Sequence, residues 1–103
     1  MRTARRFGTP AEIEHAYRGL AAIAPDEEPA HYHLGRTLLQ RDATDEGLAQ
    51  LHEAERVAPN VARAFIAEAQ WLAQHGRTAE ALEKARAADR AEQTAVDLGQ
   101  VHS

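Results

Sequence analysis

Apolar and small residues recur along this chain at intervals of three and four positions, the spacing that places them on one face of an α-helix. Proline, glycine and capping residues interrupt the pattern and divide it into five stretches. The pattern predicts an all-α domain of about five helices rather than a sheet. The apolar stripes of the predicted helices contain Ile13, Ala16, Tyr17, Leu20 and Ala24; Leu34, Leu38 and Leu39; Leu48, Leu51, Ala54 and Val57; Phe65, Ala69 and Leu72; and Ala81, Leu82, Ala85 and Ala88.

Capping signals set the bounds of these helices. Thr9, Pro10 and Glu12 form a capping-box pattern. This pattern predicts a first helix from Pro10 to about Ala24, which ends before Pro25. The other predicted helices run from an Asp26 or Glu27 cap to Gln40, from a Thr44 cap to the residue before Pro59, from an Asn60 cap to Gly76, and from a Thr78 cap onward, with a C-terminal extension through Ala95, Leu98 and Val101 that Gly99 disfavours.

The same residue types return every 34 positions, which indicates an internal repeat. Pro25 and Pro59 are one such step apart, and Glu12, Glu46 and Glu80 keep the same step. A fixed period of this size is typical of stacked helical hairpins. We therefore expect a single domain that consists of a half repeat over 8–27, full repeats over 28–61 and 62–95, and a tail over 96–103. Further pairs at this step are Ala30 and Ala64, Leu38 and Leu72, Thr44 and Thr78, Leu48 and Leu82, and Ala54 and Ala88.

The pattern resembles the tetratricopeptide repeat (TPR) family, whose signature places Leu-Gly, aromatic, Ala and Pro residues at set spacings. The resemblance implies a right-handed superhelix of stacked helical hairpins. Small residues at Gly35 and Ala69 would let the two helices of a hairpin approach closely. The matching positions are Leu34, Gly35, Leu38, Leu51, Ala54 and Pro59 in the first full repeat, and Phe65, Ala69, Leu72, Gly76, Ala81 and Ala88 in the second.

Glu68 departs from that signature, because the family usually has Leu at this position. A buried carboxylate is costly unless it is paired. We therefore expect Glu68 to have a partner on the preceding hairpin, from among His33, Arg36 and His52.

By the same resemblance, the first helix of each repeat lines an inner groove, which implies a protein or peptide partner. Two arginines in this groove, Arg36 and Arg63, could hold a carboxylate through paired hydrogen bonds. This predicts a preference for an acidic or C-terminal segment. The alternative is that both arginines are solvated and pair with nearby glutamates. The candidate partner-binding residues are Tyr32, Arg36, Gln40, Arg63, Ile66 and Gln70.

A second possible function is self-association as a structural scaffold unit. The helix predicted over 10–24 has no partner helix in phase before it, and two and a half repeats lie near the lower limit of about three for a stable array. Either the chain is a piece of a longer array, or identical copies stack through the array ends as a homo-oligomer. The candidate oligomer contacts are Ile13, Tyr17 and Trp71.

Composition excludes several classes of function. The chain has 103 residues and a net charge of −4, which argues against a nucleic-acid partner. Its apolar runs are too short for a membrane span, and no hydrophobic stretch follows the basic residues of 1–7, as a secretion signal would require. The absence of cysteine excludes disulfides and thiol catalysis. We expect a cytoplasmic protein.

The sequence offers no set of residues for catalysis, so we expect neither an enzyme nor a cofactor. None of the six histidines lies three or four positions from another, so we expect no metal site. The only serine is Ser103, and no glycine-rich phosphate loop is present. Acidic pairs such as Glu27–Glu28 and Asp45–Glu46 are interpreted as favourable charges at helix starts.

Overall fold

The computed structural model of the chain describes residues 9–97. Over this range the chain forms five α-helices and no strand, which confirms the predicted all-α class. The expectations for the basic segment 1–7 and for residues 98–103 lie outside the described residues. The helices are α1 (Pro10–Ile23), α2 (Glu28–Gln40), α3 (Thr44–Val57), α4 (Arg63–Gln74) and α5 (Thr78–Asp97).

The start of α1 confirms the predicted capping box. The Thr9 hydroxyl accepts a hydrogen bond from the Glu12 amide at 3.2 Å, and the Glu12 carboxylate accepts one from the Thr9 amide at 2.7 Å. Pro10 occupies the first helical position, where its missing N–H costs nothing. The helix ends at Ile23, immediately before Ala24 and Pro25.

The predicted caps of α3 and α4 are wrong. Thr44 is the first residue of α3, and Ala43 precedes it without a side-chain cap. Asn60 does not cap α4, which begins three residues later at Arg63. The reason is a tight turn in which the Val61 amide donates to the Ala58 carbonyl at 3.0 Å. Ala62 already has helical backbone angles, so the chain enters α4 without a polar cap.

Two turns, after α2 and after α4, share one geometry at the 34-residue step. Asp42 and Gly76 follow the two helices with φ values of 67° and 78°, in the left-handed region that terminates helices. The next residue then donates its amide to a carbonyl inside the helix, from Ala43 to Leu38 at 2.9 Å and from Arg77 to Leu72 at 2.8 Å. The role predicted for Gly76 is confirmed, and the structure repeats where the sequence repeats.

The helices pack in chain order, each against the next, and α2 also meets α4. α2 and α3 approach each other closely at Gly35 and Gly47. A Cβ atom on Gly35 would lie 3.0 Å from the Gly47 carbonyl oxygen and 2.9 Å from Cγ of Leu51. The close approach predicted at Gly35 is confirmed, and Gly47 opposite it is equally constrained. Buried apolar residues around this contact are Ala30, Leu34, Leu38, Leu51, Ala54, Ala64 and Leu72.

α5 extends beyond the second repeat, which was predicted over 62–95, since the helix continues to Asp97. Ala91 and Ala95 are buried and continue the stripe formed by Ala81 and Ala88. The predicted C-terminal extension is therefore confirmed as far as Asp97. Among the helices of residues 9–97, none has both the length and the hydropathy that crossing a membrane requires.

Candidate functional site

A shallow cleft of about 320 Å³ lies between α2 and α4, and we call it the α2–α4 cleft. Its lining residues follow helical spacing on both helices, so their side chains converge from two sides. It presents one guanidinium, one carboxylate, two side-chain amides, an imidazole and an indole ring. The lining residues are Arg36, Leu39, Gln40, Asp42, Trp71, Gln74 and His75.

Trp71 forms one wall of this cleft. Its ring stacks on His75, with centroids 4.0 Å apart and planes 19° from parallel. Nδ1 of His75 lies 2.8 Å from the Trp71 carbonyl oxygen, so a ring N–H there fixes the imidazole. The Arg77 guanidinium lies 5.8 Å from the indole centroid. Trp71, which the sequence places among the oligomer contacts, lies on α4, and α4 is neither the first nor the last of the five helices.

The two arginines predicted to act together have different surroundings. Arg63 forms a two-pronged ion pair with Glu28, with Nε to Oε2 at 2.9 Å and Nη2 to Oε1 at 2.7 Å. Glu28 is buried, and it is more than a charge at the start of α2. Arg36 instead donates to the Tyr32 hydroxyl at 3.3 Å. Within residues 9–97, Arg36 has no carboxylate partner. Of the two arginines, only Arg63 pairs with a glutamate, as the alternative interpretation expected of both.

Tyr32 joins these groups into one surface. The Arg63 guanidinium lies 4.3 Å from the Tyr32 ring centroid, and the Arg36 guanidinium lies 5.6 Å from it. His33 packs edge-on against the same ring, and Tyr17 stacks on His33 at 5.1 Å. Burial lowers the pKa of His33, and the charges of Arg63 and Arg36 lower it further. His33 is therefore neutral at pH 7. Tyr17, predicted as an oligomer contact, stacks on this ring within the same chain.

The remaining predicted partner-binding residues divide between two surfaces. Gln40 lines the α2–α4 cleft with Arg36. Ile66 and Gln70 instead line a separate groove of about 410 Å³ between α4 and α5. The structure therefore brings together only part of the set predicted from the sequence. Ile13, predicted as an oligomer contact, is half-buried on α1.

Another cleft, of about 640 Å³, lies between the start of α1 and the end of α2. Glu14 lines it and lies 2.9 Å from Nη2 of Arg41 and 3.0 Å from Nη2 of Arg18. The Arg41 hydrogen bond, together with Arg18, lowers the pKa of Glu14 to about 2. Arg18 also pairs with Glu46 on α3. The two arginines and the two glutamates neutralise one another, and their ion pairs hold α1 against the hairpin of α2 and α3.

A second group of charged residues lies between α3, α4 and α5, and we call it the buried ionic cluster. It consists of His52, Glu55, Glu68 and Lys84. The Glu68 side chain is only 5% exposed, and its Oε2 lies 2.7 Å from Nε2 of His52. Lys84 lies 2.9 Å from Glu55 and 3.3 Å from Glu68. The expectation that Glu68 has His52 as a partner is confirmed.

Sequence reasoning missed Glu55 and Lys84, although the sequence carried a signal for both. Each stands one helical turn from a small or apolar residue of a buried stripe, Glu55 after Leu51 and Lys84 after Ala81. A charged residue at such a position is half-buried by its helix neighbours. Half-buried residues of opposite charge are expected to pair, and here Lys84 of α5 contacts both Glu55 of α3 and Glu68 of α4.

The carboxyl groups of Glu55 and Glu68 shift each other's ionisation in opposite directions. Burial and the neighbouring Glu68 carboxylate raise the pKa of Glu55 to about 8, although the Lys84 ammonium opposes this. Burial would also raise the pKa of Glu68, but the Glu55 carboxyl, His52 and Lys84 outweigh burial and lower it. The pKa values of the two carboxyl groups therefore move apart, as expected for two acids that share one buried site.

A scan against protein-family models gives no match for this chain, and a search of curated proteins gives none either. The resemblance to the TPR family therefore depends on the repeat in the sequence and remains a proposal. The local geometry of residues 9–97 is the other basis for proposing a function.

Proposed function

We propose that this chain is a non-catalytic protein-interaction module of TPR-like superhelical architecture that binds a partner segment in the α2–α4 cleft. The observation that carries this proposal is the exposed guanidinium of Arg36, which has no carboxylate partner within residues 9–97 and lines the cleft together with Trp71. The repeated turn after α2 and α4 supports the architecture, because stacked hairpins reuse one connection.

The chemistry of the cleft favours a short segment that carries one carboxylate. Arg36 supplies a charged fork that matches carboxylate geometry. Gln40 and Gln74 can donate to and accept from a peptide backbone, and Trp71 offers an apolar face to a side chain. Arg63 contributes no second free charge, because Glu28 already occupies its guanidinium. The partner therefore needs one carboxylate at the cleft, from an acidic side chain or a C-terminus.

Replacing Arg36 by methionine is expected to weaken binding of an acidic peptide by about tenfold or more, since hydrogen bonds to charged groups contribute about 1.5–3 kcal/mol. Binding is measured by fluorescence anisotropy with a library of labelled peptides that have free or amidated C-termini. Arg56→Met is the matched control, because Arg56 is exposed on α3 and already paired with Glu53. If no peptide binds, or if Arg36→Met and Arg56→Met bind alike, the proposal is wrong.

A second candidate function is stacking on identical copies, and the exposed face of α1 favours it. α1 has no buried residue, and Leu20 and Ile23 are 52% and 82% exposed. Tyr17, the predicted contact, stacks on His33 within the chain. Leu20 and Ile23 would therefore supply the apolar contact between copies.

Light scattering behind a sizing column tests this candidate over a tenfold range of concentration. A dimer is expected if copies stack through α1, and Ile23→Glu should convert that dimer to a monomer, because the new charge would be desolvated in the contact. Val96→Glu, at an apolar residue of α5 that is 55% exposed, should leave the dimer unchanged. A monomer at every concentration excludes this function and leaves peptide binding as the function to test.

A further inference from the structure

Three side chains of the buried ionic cluster direct their polar atoms toward a common point. A nitrogen of His52 and one carboxylate oxygen each from Glu55 and Glu68 all lie within 4.8 Å of one another. His52 and Glu55 are one helical turn apart on α3, and Glu68 faces them from α4. The ligand atoms of a tetrahedral zinc ion lie about 3.3 Å apart, because Zn–O and Zn–N bonds are about 2.0–2.1 Å long. Small side-chain rotations therefore bring these atoms to metal-binding distances.

The two carboxylates of the buried ionic cluster also have buried oxygens that a cation could bind. Oε2 of Glu55 and Oε1 of Glu68 are both buried and accept no well-formed hydrogen bond, although the Lys84 ammonium lies 3.3 Å from Oε1 of Glu68. Glu68 is the more enclosed, since its side chain is only 5% exposed. Buried oxygens without a donor cost free energy. A bound divalent cation would require both carboxylates to be ionised, and it would balance the negative charge that the single ammonium of Lys84 leaves.

We propose that His52, Glu55 and Glu68 bind a first-row divalent cation of the zinc type, with Lys84 as the internal cation that the metal displaces. Imidazole and carboxylate groups are established ligands for such ions. His52 is 55% exposed, so the site opens to solvent on its side, which gives the ion a route in and leaves a coordination position for water. The cluster lies outside the α2–α4 cleft, so this site goes beyond the proposed peptide binding.

Sequence reasoning discarded a metal site because it considered only the spacing between histidines. The relevant pair is His52 and Glu55, which have the required spacing of three on one helix. The third ligand comes from another helix, 13 positions after Glu55 (68 − 55), and becomes adjacent only when α4 packs on α3.

Zinc binding is tested on the full chain after chelator treatment, by isothermal titration calorimetry with zinc sulfate and by the midpoint of thermal unfolding. The expected result is one ion per chain and a rise in the midpoint that chelator reverses. His52→Gln and Glu68→Gln should each weaken binding by about tenfold or more. The matched controls are His15→Gln and Glu53→Gln, at residues outside the cluster, and they should bind like the original chain.

Lys84→Met provides the sharpest outcome, because its effect has the opposite sign. Methionine keeps the apolar stem of the side chain and removes the ammonium that competes with the ion. Zinc should therefore bind about tenfold more tightly, since a neighbouring like charge is gone. A Lys84 that serves only as a structural ion-pair partner would give no such gain. His52 is largely exposed, so His52→Gln is expected to fold even if Glu68→Gln does not.

Three results would overturn the proposal. The first is the absence of zinc-dependent heat and of any change in unfolding midpoint, which would mean that a proton and Lys84 fully satisfy the cluster. The second is binding that His52→Gln leaves unchanged, which places the ion elsewhere. The third is binding that Lys84→Met weakens. None of these results bears on peptide binding at Arg36, so the two proposals fail independently.

Discussion

Replacing Leu51 by alanine is expected to lower the free energy of unfolding by about 3–4 kcal/mol. Leu51 is 0% exposed and belongs to the core cluster with Ala54 and Ala64. Its side chain also fills the space beside Gly35, where α2 and α3 approach each other closely. The surrounding backbone is already in contact there, so it cannot move in to fill the space that alanine would leave. A small domain has a total stability of about 5–15 kcal/mol, so this single change removes a large part of it.

The measurement is urea unfolding followed by far-ultraviolet circular dichroism. Leu82→Ala is the matched control, since Leu82 belongs to a predicted apolar stripe but is 50% exposed on α5. It should cost about 0.5 kcal/mol or less. Equal losses for the two variants would show that the core is not centred on the contact between α2 and α3. The sequence pattern places both leucines in apolar stripes, but only Leu51 is buried. The comparison therefore tests whether burial, rather than the sequence pattern, determines the loss of stability.

The positions of the helices could be predicted from sequence because their signals are local. The capping box at Thr9 and the left-handed turn at Gly76 each depend on residues within a few positions of one another. Gly35 could also be predicted, since a helix contact that excludes a Cβ favours glycine. The Asn60 prediction failed because a backbone hydrogen bond from Val61 to Ala58 replaced the side-chain cap.

The arrangement of charges could be predicted only in part, because it depends on how helices meet. Glu68 occupies a position where an apolar residue is expected, and this predicted a partner from among His33, Arg36 and His52, of which the structure has His52. Lys84 reaches the same carboxylate from α5, and no local pattern fixes that distance. Glu28 and Arg63 are 35 positions apart (63 − 28), and their pairing follows from the contact between α2 and α4. A charged residue at a helix start, such as Glu28, can face either solvent or a neighbouring helix, and the local sequence does not show which.

Replacing Arg63 by methionine is expected to cost about 2 kcal/mol of stability, the second-largest loss after Leu51→Ala. Glu28 is 8% exposed, and its carboxylate would lose both charged hydrogen bonds from Arg63. Removing one partner of a buried pair typically costs about 3–5 kcal/mol. The Arg63 side chain is 40% exposed, so water can partly replace its hydrogen bonds to Glu28, and the expected loss is smaller. Urea unfolding measures this loss directly.

The double variant Glu28→Gln/Arg63→Met decides what Arg63 does. Glutamine removes the buried charge, so the double variant should recover about half of the stability that Arg63→Met loses. Arg56→Met, at an exposed pair with Glu53, should cost about 0.5 kcal/mol or less. If Arg63→Met is as mild as Arg56→Met, Glu28 does not hold Arg63 firmly, and Arg63 is again free to bind a partner carboxylate together with Arg36. If the loss is large and coupled to Glu28, Arg63 fixes the spacing of α2 and α4, and Arg36 alone provides charge for the cleft.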